Sequence, residues 1–469
     1  MNTVDKKIKS KTIFFSVASK FIMRNFFFVE NGVFDILKKD NNLKIVLLMS
    51  PALYEKNKSF FDKNLTQNVV IEKIETTYHM IGENILQHIF IFFYSYLIFT
   101  PTTRLLASKG ARADISVSKW VHYLYPLKWL NYQMFGRIYF LKTWLVPKLY
   151  FLIFKKRQYK YLFDKYKPDL LFVPNVAHNP DMKLLDEAKR QKIKTVGMCG
   201  SWDHFNKYFV PLRTDILLAW NDPLKEEAIK YEGYKPNQIE MVGFPQFDSY
   251  VGNDFLIPRE EFYKKIGFEK DKKIIFFASE GAYSLDGKDI IDMIIKWIKS
   301  GKLSKDSRII LRLYPGVNSE KETYKDFFDN EYVFVDRVDN WSSRENFYNF
   351  INTMYYSDMI ISTYSTISVE GCVFDKPLVN INFDGYSKRP ANKTVTRLKK
   401  LSHFTHVFNT NALFDVSSEE ELLDTLNKYL ENPKFKSDER KKMVDRMCFK
   451  LDAKSSERIT QNIIKELNK

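Results

Sequence analysis

Between Met359 and Asp384 the chain reads MIISTYSTISVEGCVFDKPLVNINFD: an apolar strand, a hydroxyl-rich turn, a helix start and a second apolar strand. Ser365, Thr366 and Ser368 stand where the turn enters the helix. The first amides of a helix lack intrahelical acceptors and sit at the positive end of its dipole, so hydroxyls and N–H groups there suit a phosphate. Glu370, just inside the helix, can accept hydrogen bonds from sugar hydroxyls, as acidic residues do beside many nucleotide sites. A second polar group, Ser201, Trp202, Asp203 and His204 in CGSWDHF, follows the apolar run KTVGM. An indole for stacking beside two proton-moving groups suits a hydroxylated substrate, with Asp203 or His204 as general base. His178 and Asp181 follow DLLFVP, where Asp181 also fits a helix N-cap. Glu280 and Gly281 follow KIIFFA. Arg312, Tyr314, Pro315 and Gly316 lie at or after the end of RIILRL, and Arg312 can pair bidentately with a diphosphate. Asp384 closes the last strand of the Met359–Asp384 stretch and is expected to approach the same pocket. The seven histidines are scattered and no Asp-x-Asp triplet stands at a strand end, so neither metal nor cofactor is expected. Charge on a departing phosphate then falls to the helix terminus and basic side chains.

These residues need elements that bring them to one edge. Apolar runs alternating with amphipathic stretches predict parallel strands covered by helices. The first series is expected to begin at Lys44–Ser50 and resume with Asp169–Pro174, a helix over Asp181–Gln191, Lys194–Met198, Asp215–Trp220, a helix over Asp222–Tyr231 and a strand at Gln238–Val242. Gly243, Pro245, Gly252 and Pro258 supply the turn residues of a domain junction. The second series runs Lys273–Ala278, a helix over Asp289–Ser300, Arg308–Leu313, Tyr332–Val335, a helix over Phe347–Tyr356, the Met359–Asp384 stretch and a helix over Glu419–Glu431. The fold class is therefore α/β, with two Rossmann-like domains facing a cleft. Residues 1–250 form the N-terminal domain and 251–469 the C-terminal one, with the last helix able to pack back on the first domain. Neither G-x-G-x-x-G nor a P-loop signature occurs, which argues against a dinucleotide dehydrogenase and a P-loop enzyme.

A chain of 469 residues with 45% hydrophobic content can bury two cores. Its three widely spaced cysteines suit a reducing compartment, and the basic N-terminus lacks the apolar core of a signal peptide. The net charge of +16 is concentrated: between His88 and Lys167 fourteen Lys or Arg face two Asp. The same segment, about 85–165, is crowded with Trp, Tyr and Phe, and reads as a basic aromatic helical insertion in the N-terminal domain. Cations interleaved with rings suit helices lying in an anionic membrane interface, and the longest apolar run, Ile89–Thr100, is too short to span a bilayer. The protein is expected to be cytoplasmic, peripheral on the inner face of the membrane. No zinc-finger, RNP-like or helix-turn-helix pattern appears, so nucleic acid is not an expected partner.

Taken in order, KTVGMCGSWDHF, DILLAWNDPLKEEAIKYEGY, MVGFPQFDSY, RIILRLYP, YSDMIISTYSTISVEGCVFDKPLVNINFDG and LDAKSSERI resemble bacterial surface-polysaccharide glycosyltransferases of the GT-B type, related to the CDP-glycerol glycerophosphotransferases of teichoic acid synthesis. The resemblance covers roughly residues 165–465. It implies a nucleotide-activated donor on the C-terminal domain and a lipid-linked or oligosaccharide acceptor on the N-terminal one. By position, Ser365, Thr366 and Ser368 would touch the donor phosphates and Glu370 the ribose, with Arg312, Glu280, Gly281 and Asp384 completing the donor side. Ser201, Trp202, His178 and Asp181 would serve the acceptor. The chain departs from the pattern at Tyr314-Pro315, where the glycerophosphotransferases usually have His-Pro, and this shifts the expectation toward a nucleotide sugar. The alternatives are a CDP-glycerol-type glycerophosphotransferase and a sugar-nucleotide epimerase.

Overall fold

A strand that is apolar on both faces of its pleat can be satisfied only between two helical layers. The computed structural model describes residues 10–75, 82–108, 110, 112–113, 119–252, 255–314, 318–337 and 343–469, and it resolves these runs into two all-parallel sheets. In chain order the first sheet is built from β1 (Lys11–Val17), β2 (Leu43–Met49), β3 (Val69–Lys73), β4 (Leu170–Val173), β5 (Lys194–Met198), β6 (Ile216–Ala219) and β7 (Ile239–Met241). Its spatial order is β3-β2-β1-β4-β5-β6-β7. The second sheet comprises β8 (Lys273–Ala278), β9 (Ser307–Arg312), β10 (Val333–Asp336), β11 (Met359–Ser362), β12 (Leu378–Ile381) and β13 (Phe414–Val416), ordered β10-β9-β8-β11-β12-β13.

Sequence reading began the first series one strand too late. KTIFFSV, which lies in the basic N-terminal stretch, is β1, and it occupies the middle of its sheet between β2 and β4. Phe14 and Phe15 are fully buried, and Phe15 packs edge-on against Phe26 and Phe172. The short edge strands β3 and β13 were also missed, since each offers too few apolar residues to mark a period.

The chain divides into two compact units, Met1–Ile98 with Trp129–Asp248 and Leu451–Lys469, and Phe99–Lys128 with Ser249–Lys450. The basic aromatic segment is thus shared between them instead of forming one insertion in the N-terminal domain. Phe99–Lys128 is tied into the second unit by Thr102 Oγ1 to His403 Nδ1 (3.0 Å) and by the Ala113 amide donating to the Ala282 carbonyl (2.7 Å). The final helix, Ser455–Leu467, lies in the first unit, where the Asp248 carboxylate accepts from the Ser455 and Ser456 amides (3.0 and 2.8 Å) and caps it from outside.

Because β1 anchors the first sheet through rings that touch on several sides, Phe15→Ala is expected to cost about 3–5 kcal/mol of stability. Denaturant unfolding followed by tryptophan fluorescence measures this, and a cost below about 1 kcal/mol would remove β1 from the core.

Candidate functional site

In the second unit β8 and β11 are neighbours, with Phe277 registered on Ile361, so the loops after them emerge side by side. This adjacency brings Glu280 beside Ser365. Burial pushes the Glu280 carboxyl up to about 8, with the Ser365 hydroxyl opposing the shift and neighbouring Glu320 adding to it. Glu280 therefore carries its proton at neutral pH. Glu320 accepts from the Ser279 hydroxyl and from the Tyr314 amide (2.9 Å), tying the loop after β8 to the end of β9. Gly281 adopts a left-handed conformation (φ +54°) under the Tyr314 ring, and a Cβ there would meet that ring at 3.2 Å. Pro315 and Gly316 lie outside the described residues.

The turn after β11 enters the helix Ile367–Val373 with exposed Thr366 as N-cap. The cradle is narrower than the sequence suggests. The Ser368 and Val369 amides already bond the Ser365 and Thr366 carbonyls (3.3 and 3.0 Å), and the Ile367 amide makes only a long contact to Ser365 Oγ (3.5 Å). Ser368 is 4% exposed and so packs inward, whereas Ser365 and Thr366 reach the surface. Gly371 lets this helix press onto the sheet, since a Cβ there would meet Ile360 and Leu378 within 2.9 Å. Half-buried Glu370 accepts from the Tyr250 hydroxyl. Tyr250 sits in the quoted motif MVGFPQFDSY but had no assigned role, because nothing local joins it to a residue 120 positions away. Asp384 accepts from the Val395 amide (2.8 Å) and fixes the loop that follows β12.

Arg312 is not available to a diphosphate in this arrangement. It is 6% exposed, forms an ion pair with Asp336 on the neighbouring strand, donates to Asn346 Oδ1 (3.0 Å) and lies over the Phe350 ring. Its register partner on β10 is Asp336 itself, so the pairing is built into the sheet.

In the first unit the loops after β4 and β5 carry the second constellation. Asp181 is wholly buried, and its carboxylate accepts from the Ser16 hydroxyl at the end of β1 and the Asn175 amide (2.9 Å) after β4. Burial pushes it up to about 7, against those two hydrogen bonds. It is an internal strut joining two strand ends, and neither an N-cap nor a surface contact for an acceptor. Trp202 is 3% exposed, so its indole packs inside rather than offering a stacking face. Asp203 is equally buried and forms an ion pair with Lys207 one turn on. His204 is nine-tenths buried, with its ring edge-on to His178 at 5.1 Å. Burial, and then His178, push its imidazole down to about 3, so it is neutral at physiological pH. Its Nδ1 has no hydrogen-bond partner among the described residues. Half-buried His178 and exposed Tyr208, whose rings lie 5.3 Å apart, complete the cluster, and Ser201 is half-buried beside it in sequence. Tyr208 was missed because its side chain joins the histidines only through the short helix His204–Lys207.

Of the two groups read as bases, His204 is neutral but its low value makes it a weak base in this arrangement, and the Asp203 carboxylate is engaged by the Lys207 ammonium. Among the described residues no cluster of His, Cys, Asp and Glu has the arrangement of a metal site, and no helix is long and apolar enough to cross a membrane.

A family model described as CDP-glycerol:poly(glycerophosphate) glycerophosphotransferase matches residues 203–465. The chain belongs to this family. Membership makes it a transferase, and the matched region starts at Asp203 and takes in every donor-side residue described above. No curated protein matches the chain. Among solved structures, a glycosyltransferase from Rickettsia africae ESF-5 aligns over 97% of this chain and 99% of its own at 12% identity, with a TM-score of 0.50. UDP-GlcNAc 2-epimerase from Neisseria meningitidis bound to UDP-GlcNAc aligns over 97% and 100% at 12% identity, TM-score 0.53. The wall teichoic acid polymerase TagF soaked with CDPG aligns over 98% and 89% at 12% identity, TM-score 0.50. At such identities the likeness is one of fold, and it places this family member in the GT-B class of two Rossmann-like domains.

Since Arg312 pairs inside the sheet, its removal strands a buried carboxylate. Arg312→Ala is expected to lose about 3–5 kcal/mol of stability, read by denaturant unfolding. A variant as stable as the parent but defective in nucleotide binding would return Arg312 to the donor side.

Proposed function

We propose that this transferase moves a sugar from a nucleotide-activated donor to a lipid-linked or growing cell-surface polysaccharide, without a metal, at the cytoplasmic face of the membrane. The observation that carries the choice of a sugar is Tyr314. Where the glycerophosphotransferase pattern has an imidazole able to carry positive charge toward a diphosphate, this chain has a phenol packed against Gly281. A phenol can donate one hydrogen bond but brings no charge. The second reading, transfer of glycerol phosphate from CDP-glycerol, is favoured by the family model itself.

The second unit would hold the donor. Exposed Thr366, half-buried Ser365 and the Ile367 amide would offer a phosphate neutral donors, and protonated Glu280 would add a further one instead of a repelling carboxylate. Glu370, held by Tyr250, would accept from the ribose hydroxyls. The first unit would hold the acceptor, with Asp203 or His204 taking the proton from its attacking hydroxyl if the reaction inverts the anomeric centre. The basic aromatic segment supports a membrane location, because it pairs cationic charge with interfacial side chains.

Thermal stabilisation by a panel of CDP-, CMP-, UDP-, GDP- and TDP-linked sugars, with CDP-glycerol alongside, tests the donor. A sugar nucleotide that stabilises where CDP-glycerol does not supports the first reading, and the reverse result selects the second. Thr366→Ala and Glu370→Ala are each expected to weaken the stabilising donor about tenfold, or ~1.4 kcal/mol, with the fold intact. Wild-type affinity in both variants would remove the donor assignment. Turnover is expected to persist in EDTA, and loss on chelation with rescue by magnesium would assign a metal to the reaction.

Glu280 gives the donor site a pH signature. Its proton is held below about 8 and lost above, and the carboxylate then faces the phosphate. Donor Kd is therefore expected to rise as pH passes through about 8, and Glu280→Gln to abolish that rise. A Kd that stays flat from neutral pH to well above that point in the parent protein would separate Glu280 from the donor.

A further inference from the structure

β12 reads LVNI, and Asn380 within it is 1% exposed. A carboxamide buried in an apolar strand needs partners for both its oxygen and its nitrogen. The register supplies them, since Asn380 lies between Ser362 on β11 and Asp415 on β13. Its Oδ1 accepts from the Tyr364 amide (2.6 Å), and its Nδ2 donates to Asp415 Oδ1 (2.7 Å). Asn382, two residues on and so turned to the same side, repeats the pattern: Oδ1 accepts from the Tyr364 hydroxyl (3.0 Å) and Nδ2 donates to Asp415 Oδ2 (3.3 Å). Tyr364 thus donates twice, the two asparagines relay, and the Asp415 carboxylate accepts twice. Because a carboxylate only accepts, neither amide can turn over without setting its own oxygen against Asp415. Exposed Lys399 lies 3.6 Å from Asp415 Oδ2, so the amides are the nearer partners.

One member of this closed set of bonds is strained. Tyr364 stands in the left-handed region at φ +48°, which disfavours any residue with a Cβ, and a tyrosine persists there only when its surroundings hold it. The asparagines hold its amide and hydroxyl, and Phe404 and Phe408 meet its ring edge-on at 5.7 and 5.6 Å. Tyr364 is also where the chain leaves β11 and turns toward the helix Ile367–Val373, immediately ahead of Ser365 and Thr366. We infer that Asp415, acting through Asn380 and Asn382, positions the donor site: it locks Tyr364 in its left-handed conformation and so fixes the direction in which Ser365, Thr366 and the Ile367 amide meet a phosphate. None of the three relay residues touches the donor. Their effect reaches it through the backbone of one turn. The inference rests on the donor reading of this turn, and it holds whether the transferred group is a sugar or glycerol phosphate.

Reciprocal variants test it on the full chain, with calorimetric titration of CMP, CDP, UDP, GDP and TDP as the readout. Asn380→Asp sets two carboxylates against each other, and Asp415→Asn leaves one asparagine facing an amide nitrogen. Each is expected to weaken the nucleotide that binds the parent about tenfold. The double variant Asn380→Asp, Asp415→Asn gives every oxygen a donor again, with the bond between the two positions reversed in sense. It is expected to bind within about twofold of the parent. A purely structural role predicts otherwise: both single variants would melt earlier yet, at temperatures where they are folded, bind as the parent does. That result overturns the inference, as does a double variant no better than either single one. Asp415 is half-buried on the edge strand β13, so Asp415→Asn and the double variant carry the test even if Asn380→Asp does not fold. Thr366→Ala separates the inference from the reading beneath it. If Thr366→Ala loses the nucleotide while the relay variants keep it, the donor site stands and the relay falls. If no nucleotide binds the parent, the donor site falls and takes the relay with it.

Discussion

The donor-side constellation depends on β8 and β11 lying side by side although about eighty residues separate them in the chain. Parallel pairing allows no hairpin, so the chain must leave β8, cross to form β9 and β10 on one side, and return to the other side of β8. That return puts two loops at the same carboxyl edge, where the strand order reverses and the sheet opens a crevice. Glu280 and Ser365 meet for this reason. Gly281, Tyr314 and Glu320 then lock the third loop, from β9, against the pair.

Desolvation governs the polar groups at both edges more than pairwise charge does. Asp181, Glu280 and His204 are all moved toward their neutral forms by burial, in spite of hydrogen bonds that favour the ionised state of the two acids. Arg312 is buried too, and its charge is matched because its β10 register partner is the carboxylate of Asp336. A charge matched within the sheet is spent, whereas neutralised Glu280 at a strand end keeps a proton to donate.

Most of the architecture was legible because buried parallel strands leave continuous apolar runs, and KIIFFA, RIILRL and DILLAW appear within a residue or two of where they were read. β1 escapes a sequence reading for a specific reason: KTIFFSV is a short apolar run with a lysine at its start, set in a basic N-terminal stretch whose charge hides the buried strand. At the site, residue types and strand-end positions were readable, but side-chain direction was not. Trp202, Asp181, Ser368 and Arg312 all face inward, and each was given a surface role because a sequence places a residue on an element without saying which way it turns. Tyr250 could not have been found by spacing, since its link to Glu370 exists only through the fold.

The two recognition tasks proposed for the chain use different physics. A donor diphosphate would meet neutral hydrogen-bond donors at the β8 and β11 edge, because Arg312 is engaged by Asp336 and the position of the family's imidazole holds a phenol. Such bonds are short-ranged and directional, so they select by geometry and are little weakened by salt. At the membrane face proposed for it, the helical segment rich in lysine and aromatic residues would work by long-range attraction followed by burial of rings, which tolerates many orientations and many lipids. A transferase whose acceptor is anchored gains from this division. Loose, salt-sensitive attraction would bring it to a surface rich in acceptor, while a site without strong fixed charge would keep its discrimination for the donor.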